Sequence, residues 1–157
     1  MEYFCHLHNI NKMYYNLLLA DDDHDDCTFF KEALEDLPIE AKLSTVHDGV
    51  QLMNFLSTKA GTLPDVLFLD LNMPLKNGVE CLSEIKSIRE FENLPVIIFS
   101  TSFNMEVVDL LYQKGAHYYI RKPGDYDQLK KVILAAVTLA KKNKSIQPTR
   151  DQFVLHP

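Results

Sequence analysis

The stretch DVLFLDLNMPLKNG, residues 65–78, decides how the rest of the chain is read. Val66, Leu67, Phe68 and Leu69 form an apolar run with the length and the β-branched or aromatic content of a strand buried on both faces. Asp70 closes that run with a carboxylate that an apolar core does not call for. Pro74 and then Asn77-Gly78 supply turn chemistry, after which Val79, Leu82, Ile85 and Ile88 recur at helical spacing.

The same alternation continues to either side. Residues 16–20, 95–99 and 117–120 are further strand-like runs, and residues 42–46 make a weaker fifth. Between them Phe30, Ala33, Leu34 and Leu37 mark a first helix, residues 50–57 a second, and Val107, Leu110 and Leu111 a fourth. A last helix over residues 126–142 places Leu129, Val132, Ile133, Ala136, Val137 and Ala140 on one stripe, with lysines at its C-terminal end, where the helix dipole favours them. Five strands alternating with five helices predict an α/β domain, a doubly wound five-stranded parallel sheet covered on both faces with right-handed crossovers. Ligands of such sheets bind beyond the carboxyl ends of the strands.

Size and charge narrow the function. At 157 residues and 46% hydrophobic, the chain suits one compact domain. A net charge of −6 without a basic run argues against DNA binding by this chain. Cys5, Cys27 and Cys81 lie far apart and form neither a disulfide framework nor a zinc motif, so the cytosol is the expected compartment. No apolar run approaches the ~20 residues that cross a bilayer. Residues 1–13 read as an N-terminal extension without the apolar core of a signal peptide, and Met13 offers an alternative start. Residues 14–142 form the domain, and residues 143–157 read as a polar, mobile C-terminal tail.

Chemistry gathers at the strand ends. Asp21 and Asp22 follow the first strand, Asp70 ends the third, Ser100 ends the fourth, and Lys122, followed by Pro123, lies just past the fifth. A helix start accounts for one capping acid and one or two acids in the first turn, and Asp23, Asp25 and Asp26 are read that way, with His24 an exposed side chain. Asp21 and Asp22, in a run of mutually repelling carboxylates, want a cation. Mg²⁺ fits best, because it takes oxygen ligands and is held by one or two carboxylates together with phosphate oxygens. A metal pair, a carboxylate nucleophile, a hydroxyl and an ammonium are the set that phosphoryl transfer needs.

In order and spacing LLLADDD, DVLFLDLNMPLKNG, PVIIFSTS and KGAHYYIRKP resemble the receiver domain of two-component response regulators, over about residues 15–142. The resemblance implies a flavodoxin-like fold with strand order 2-1-3-4-5 and a signalling phosphoacceptor rather than an enzyme. It implies that Asp21 and Asp22 hold Mg²⁺, that Asp70 binds the metal and becomes the aspartyl phosphate, and that Asn72 gives its backbone carbonyl to the metal. Ser100 matches the switch hydroxyl, Thr101 the neighbouring position on the phosphoryl approach, Lys122 the phosphate-binding lysine and Tyr119 the switch aromatic, for which ordinary packing is the alternative. The Lys122–Pro123 peptide would be cis, aiming the ammonium inward. Ser100 and Thr101 depart from the commoner threonine and small residue, which leaves the phosphoryl lifetime open. The implied partners are a sensor histidine kinase or histidine phosphotransfer protein and a downstream protein. Output would run through the fourth helix, fifth strand and fifth helix, a face that also permits a homodimer.

Two other readings compete. LLLADDD and IIFSTS also resemble motifs of haloacid-dehalogenase-type phosphatases, but such an enzyme needs a late acidic metal motif where only Asp125 and Asp127 stand, and it gives Asp70 no role. A receiver-like module that signals without phosphorylation would not need the full acidic pocket that is present here.

Overall fold

The computed structural model describes residues 14–58 and 62–157; the expectations for residues 1–13, Met13 included, lie outside them. Strands β1 (Tyr14–Ala20), β2 (Glu40–Val46), β3 (Val66–Leu69), β4 (Val96–Ser100) and β5 (Tyr118–Arg121) alternate with helices α1 (His24–Glu35), α2 (Gly49–Thr58), α3 (Gly78–Ser87), α4 (Met105–Gln113) and α5 (Tyr126–Asn143). A 3-10 turn, Arg150–Gln152, and a two-residue strand, β6 (Val154–Leu155), follow. Every neighbouring pair is parallel, in the order β2-β1-β3-β4-β5-β6.

Alternation along each strand divides the core in two. Leu18, Ala20, Leu67, Leu69, Val96 and Ile98 face α2, α3 and α4, whereas Leu17, Leu19, Val66, Phe68, Ile97 and Phe99 face α1 and α5. Because both faces are covered, the central strands carry unbroken apolar runs rather than alternating ones. A leucine such as Leu67, wholly buried, contributes about 1.5–3 kcal/mol by leaving water, and its truncation to alanine costs about 2–5 kcal/mol.

Side chains set the helix starts. Asp23 accepts from the amides of Asp25 and Asp26, Asn104 from those of Glu106 and Val107, and Asp125 from that of Gln128. Asn77 and Glu80 form a reciprocal capping box. These caps fix where each helix begins after its strand, and so shape the loops at the carboxyl edge of the sheet.

Four expectations change. Among the described residues the sheet has six strands rather than five, and residues 143–157 are not a mobile tail: Phe153 is wholly buried, and Val154 and Leu155 pair with Tyr119 and Ile120. An isolated apolar triplet has no period of its own, and its burial comes from the open edge of β5. On α4 the buried residues are Val108 and Leu111, while Leu110 is exposed, so the inward stripe is offset from the expected one. The Lys122–Pro123 peptide is trans, as are all peptides among the described residues. A trans bond is the lower-energy form by about 0.5–1 kcal/mol before proline, and Lys122 reaches the site without inversion.

Candidate functional site

The carboxyl ends of β1, β3, β4 and β5 converge on one acidic depression. Asp21 and Asp70 are buried, Asp22 is exposed, and one oxygen of each lies within 4.8 Å of the others. Hydrogen bonds from Asp21 N to the Val46 carbonyl and from Asp70 N to the Ala20 carbonyl, at 3.0 and 2.9 Å, carry the sheet ladder to these residues and fix their positions. Gly78, opening α3, brings that helix against the same strand end. Its amide donates to the Leu71 carbonyl at 3.0 Å, and a Cβ there would stand 2.3 Å from the Asp70 carbonyl oxygen. Only glycine lets the α3 N-terminus approach so closely.

Lys122 enters from β5 and sets its ammonium among carboxylates, 2.7 Å from Asp21 Oδ2, 2.8 Å from Asp26 Oδ2 and 3.6 Å from Asp70 Oδ2. Burial works against its charge, but Asp21 and Asp26, with Asp70 behind them, hold its pKa above the usual lysine range. Burial also raises Asp70, to about 6; Lys122 offsets part of that shift and the Asp21 charge adds to it. At neutral pH Asp70 is therefore mostly ionised, and its charge is held at a cost. Cys27, whose thiol lies against the Asp21 carbonyl, is pushed up to about 12 by burial and stays protonated.

Three carboxylates around one ammonium, with Asp22 beside them, leave the depression negative, and the donors suit a hard divalent cation. Asp21 Oδ2 is wholly buried and makes no aligned hydrogen bond. Its contact with Lys122 is an ion pair, which balances charge but leaves lone-pair capacity free for a metal. Asp21, Asp22 and Asp70 thus fit the expected Mg²⁺. Asn72 is two residues on, its amide 3.5 Å from Asp70 Oδ1.

The expected switch residues lie on the same edge. Ser100 is wholly buried and its hydroxyl accepts from the Ser102 amide at 3.2 Å, while Thr101 is exposed. Tyr119 is wholly buried, donates its hydroxyl to the Ser102 carbonyl and packs edge-on against Phe103 at 5.7 Å. Burial raises its pKa, and the Ser100 hydroxyl opposes that shift.

Four contacts were not foreseen. Asp26, read as a helix-start acid, grips Lys122; it is the third residue of α1, and side chains of a first turn lean back over the N-terminus, a geometric hint available in advance. Ser102 accepts from the Asn72 amide nitrogen Nδ2 at 3.2 Å and so ties the loop after β4 to the loop after β3. His47 Nδ1 lies 3.0 Å from the Asp21 carbonyl, with the His24 ring 4.3 Å from its own, pairings no local pattern marks.

The sequence profile of the response regulator receiver domain matches residues 17–134, which include every residue of this depression. The chain belongs to the response regulator receiver family. Receivers are signalling phosphoacceptors of two-component systems. This receiver is 31% identical to the response regulator Rcp1 of Synechocystis over 121 residues, covering 74% of this chain and 82% of Rcp1. Among solved structures it resembles the phosphorylated cyanobacterial phytochrome response regulator RcpA, at 30% identity and a TM-score of 0.71 over 82% of this chain and 93% of that one. It also resembles the Mn²⁺-bound form of Rcp1, at 28% identity and a TM-score of 0.69 over 81% and 92%. Among the described residues no helix is long and apolar enough to cross a membrane.

Proposed function

We propose that Asp70 of this receiver accepts a phosphoryl group from the phosphohistidine of a sensor kinase or phosphotransfer protein, in the cytosol, and that the change is read by a protein partner. The observation that carries this reading is the pairing of a buried carboxylate at the end of a central strand with a lysine ammonium 3.6 Å away. RcpA is known in a phosphorylated form and Rcp1 in a Mn²⁺-bound form, which supports the same chemistry here.

One Asp70 oxygen attacks phosphorus in line, the phosphorus–nitrogen bond of the donor breaks, and the imidazole leaves. A divalent ion held by Asp21, Asp22, Asp70 and the Asn72 carbonyl would neutralise phosphoryl oxygens. Lys122 is placed to leave Asp26 and meet another oxygen, and the Ser100 hydroxyl a third, with Thr101 bordering the approach. When Ser100 turns toward the phosphoryl group it gives up the Ser102 amide, so the loop after β4 and the Tyr119 hydroxyl bonded to it are drawn into the change. The face of α4, β5 and α5 is then the output surface, and the surface for any homodimer.

The test is intact mass after incubation with Mg²⁺ and a small acyl phosphate. One added phosphoryl group, dependent on Mg²⁺ and absent in Asp70→Asn, is expected; an equal adduct on Asp70→Asn would overturn the assignment.

A further inference from the structure

Beyond α5 the chain turns back and crosses the face of α4 and β5. Lys144 makes the turn at φ 52, in the left-handed region that favours glycine. His117 Nε2 then meets the Ser145 carbonyl at 3.2 Å, and Gln147 donates to the carbonyls of Tyr112 and Ala116 at 2.7 and 2.8 Å. The Tyr112 hydroxyl donates to the Pro148 carbonyl at 2.7 Å, and Arg150 pairs with Asp109 at 2.7 Å. Phe153 fills a pocket between Tyr112 and Tyr119, at ring separations of 5.2 and 6.4 Å, and its carbonyl accepts from the Tyr119 amide at 3.0 Å before β6 pairs with β5.

Main-chain pairing along a sheet edge, an aromatic pocket and an ion pair are the elements by which domains bind extended peptides. Here a segment beyond residues 17–134, the span that matches the family, supplies the peptide, and residues within that span supply the groove. Tyr119 joins the groove to the phosphoacceptor site: its hydroxyl holds the Ser102 carbonyl, one side of its ring meets Phe103, and Phe153 packs on it from the strap. The far end of the strap also borders the site, where Val154, His156 and Pro157 share a cleft of about 270 Å³ with Phe103, Lys122 and Pro123.

We propose that the α4–β5 groove is a peptide-docking site held closed in cis by residues 145–157, and that phosphorylation of Asp70 loosens this strap and opens the groove to an extended partner segment carrying an arginine three residues before a phenylalanine. The coupling rests on the phosphoacceptor reading above. Once Ser100 serves the phosphoryl group, the loop that carries the Ser102 carbonyl moves, the Tyr119 ring follows, and Phe153 loses the surface it packs on. Linkage makes the effect reciprocal: if the mimic favours strap opening by some factor, opening the strap tightens binding of the mimic by up to that factor.

Hydrogen exchange of the full chain, with and without Mg²⁺ and beryllium fluoride, tests the coupling, while fluorine NMR of bound fluoroberyllate reports independently on site occupancy. Amides of residues 149–155 are expected to exchange about 5-fold faster or more when the mimic is bound. Arg150→Ala, which loosens the strap at an exposed ion pair and leaves the core intact, is expected to bind the mimic tighter, by up to that factor. A labelled peptide of residues 145–157 is expected to bind the mimic-loaded chain and Arg150→Ala more tightly than the unmodified chain, and to lose that binding when its Phe153 is alanine. A bound fluoroberyllate signal with unchanged strap exchange overturns the coupling. Absence of that signal overturns the phosphoacceptor reading and the coupling together. Failure of the peptide to distinguish Arg150→Ala from the unmodified chain overturns the groove itself.

Discussion

Asp70→Asn, in the absence of divalent metal and above about pH 7, is expected to make the domain more stable. The carboxyl of Asp70 is raised from 3.8 to about 6, chiefly by burial and further by Asp21. A carboxyl that binds its proton more tightly when folded lowers stability as pH rises from about 4 to about 6, and the deficit is complete above that range. A gap of about two units, at 1.36 kcal/mol each, amounts to about 3 kcal/mol. The asparagine must still satisfy a buried amide, so the net gain is about 1–3 kcal/mol, read as a midpoint shift in urea or about 2–9 °C in Tm. Lys122 keeps Asp21 and Asp26 as partners in the variant. Near pH 4 most of the gain should disappear, because the wild-type carboxyl is then protonated in the folded state and close to half protonated in the unfolded one. Saturating Mg²⁺ should cancel or reverse the order, since an ion at a hundred times its Kd adds about 2.7 kcal/mol to the wild type. An Asp70→Asn gain that is the same near pH 4 and pH 7.5, or no gain at neutral pH without metal, would refute the electrostatic account of this pocket.

His117 carries the opposite slope. Burial, aided by the charge of Lys86 and opposed by the Ser145 carbonyl, lowers its pKa to about 4, so stability present above 6.5 should be lost on acidification toward pH 4, by about 3 kcal/mol; His117→Gln should flatten that loss in acid-denaturation curves. Because the wild type and Asp70→Asn share this slope, it cancels from their difference. Phe153→Ala should cost about 3 kcal/mol in urea unfolding, whereas a free tail would lose nothing measurable. Gly78→Ala should destabilise by about 2 kcal/mol or more and weaken Mg²⁺ binding in calorimetry, because its Cβ would press on the Asp70 carbonyl.

What could be read from sequence and what could not divide along a physical line. β1, β3, β4 and β5 are legible because a strand buried on both faces must be apolar throughout, and Asp21, Asp70, Ser100 and Lys122 stand out as polar residues at the ends of such runs. The helix caps at Asp23, Asn77 and Asp125 are equally local, each set by side chains within three residues. Asp26 is not legible in this way, because its role is conferred by a lysine 96 positions away. Phe153 is the same case on a larger scale. Its neighbours Val154 and Leu155 are too few to show a period, and only the folded sheet, with β5 exposed at its edge and Tyr112 and Tyr119 forming a pocket, makes a strand of them. The residues proposed to react are therefore a local pattern within residues 17–134, while the strap proposed to control their output rests on a few contacts that exist only after that domain has folded.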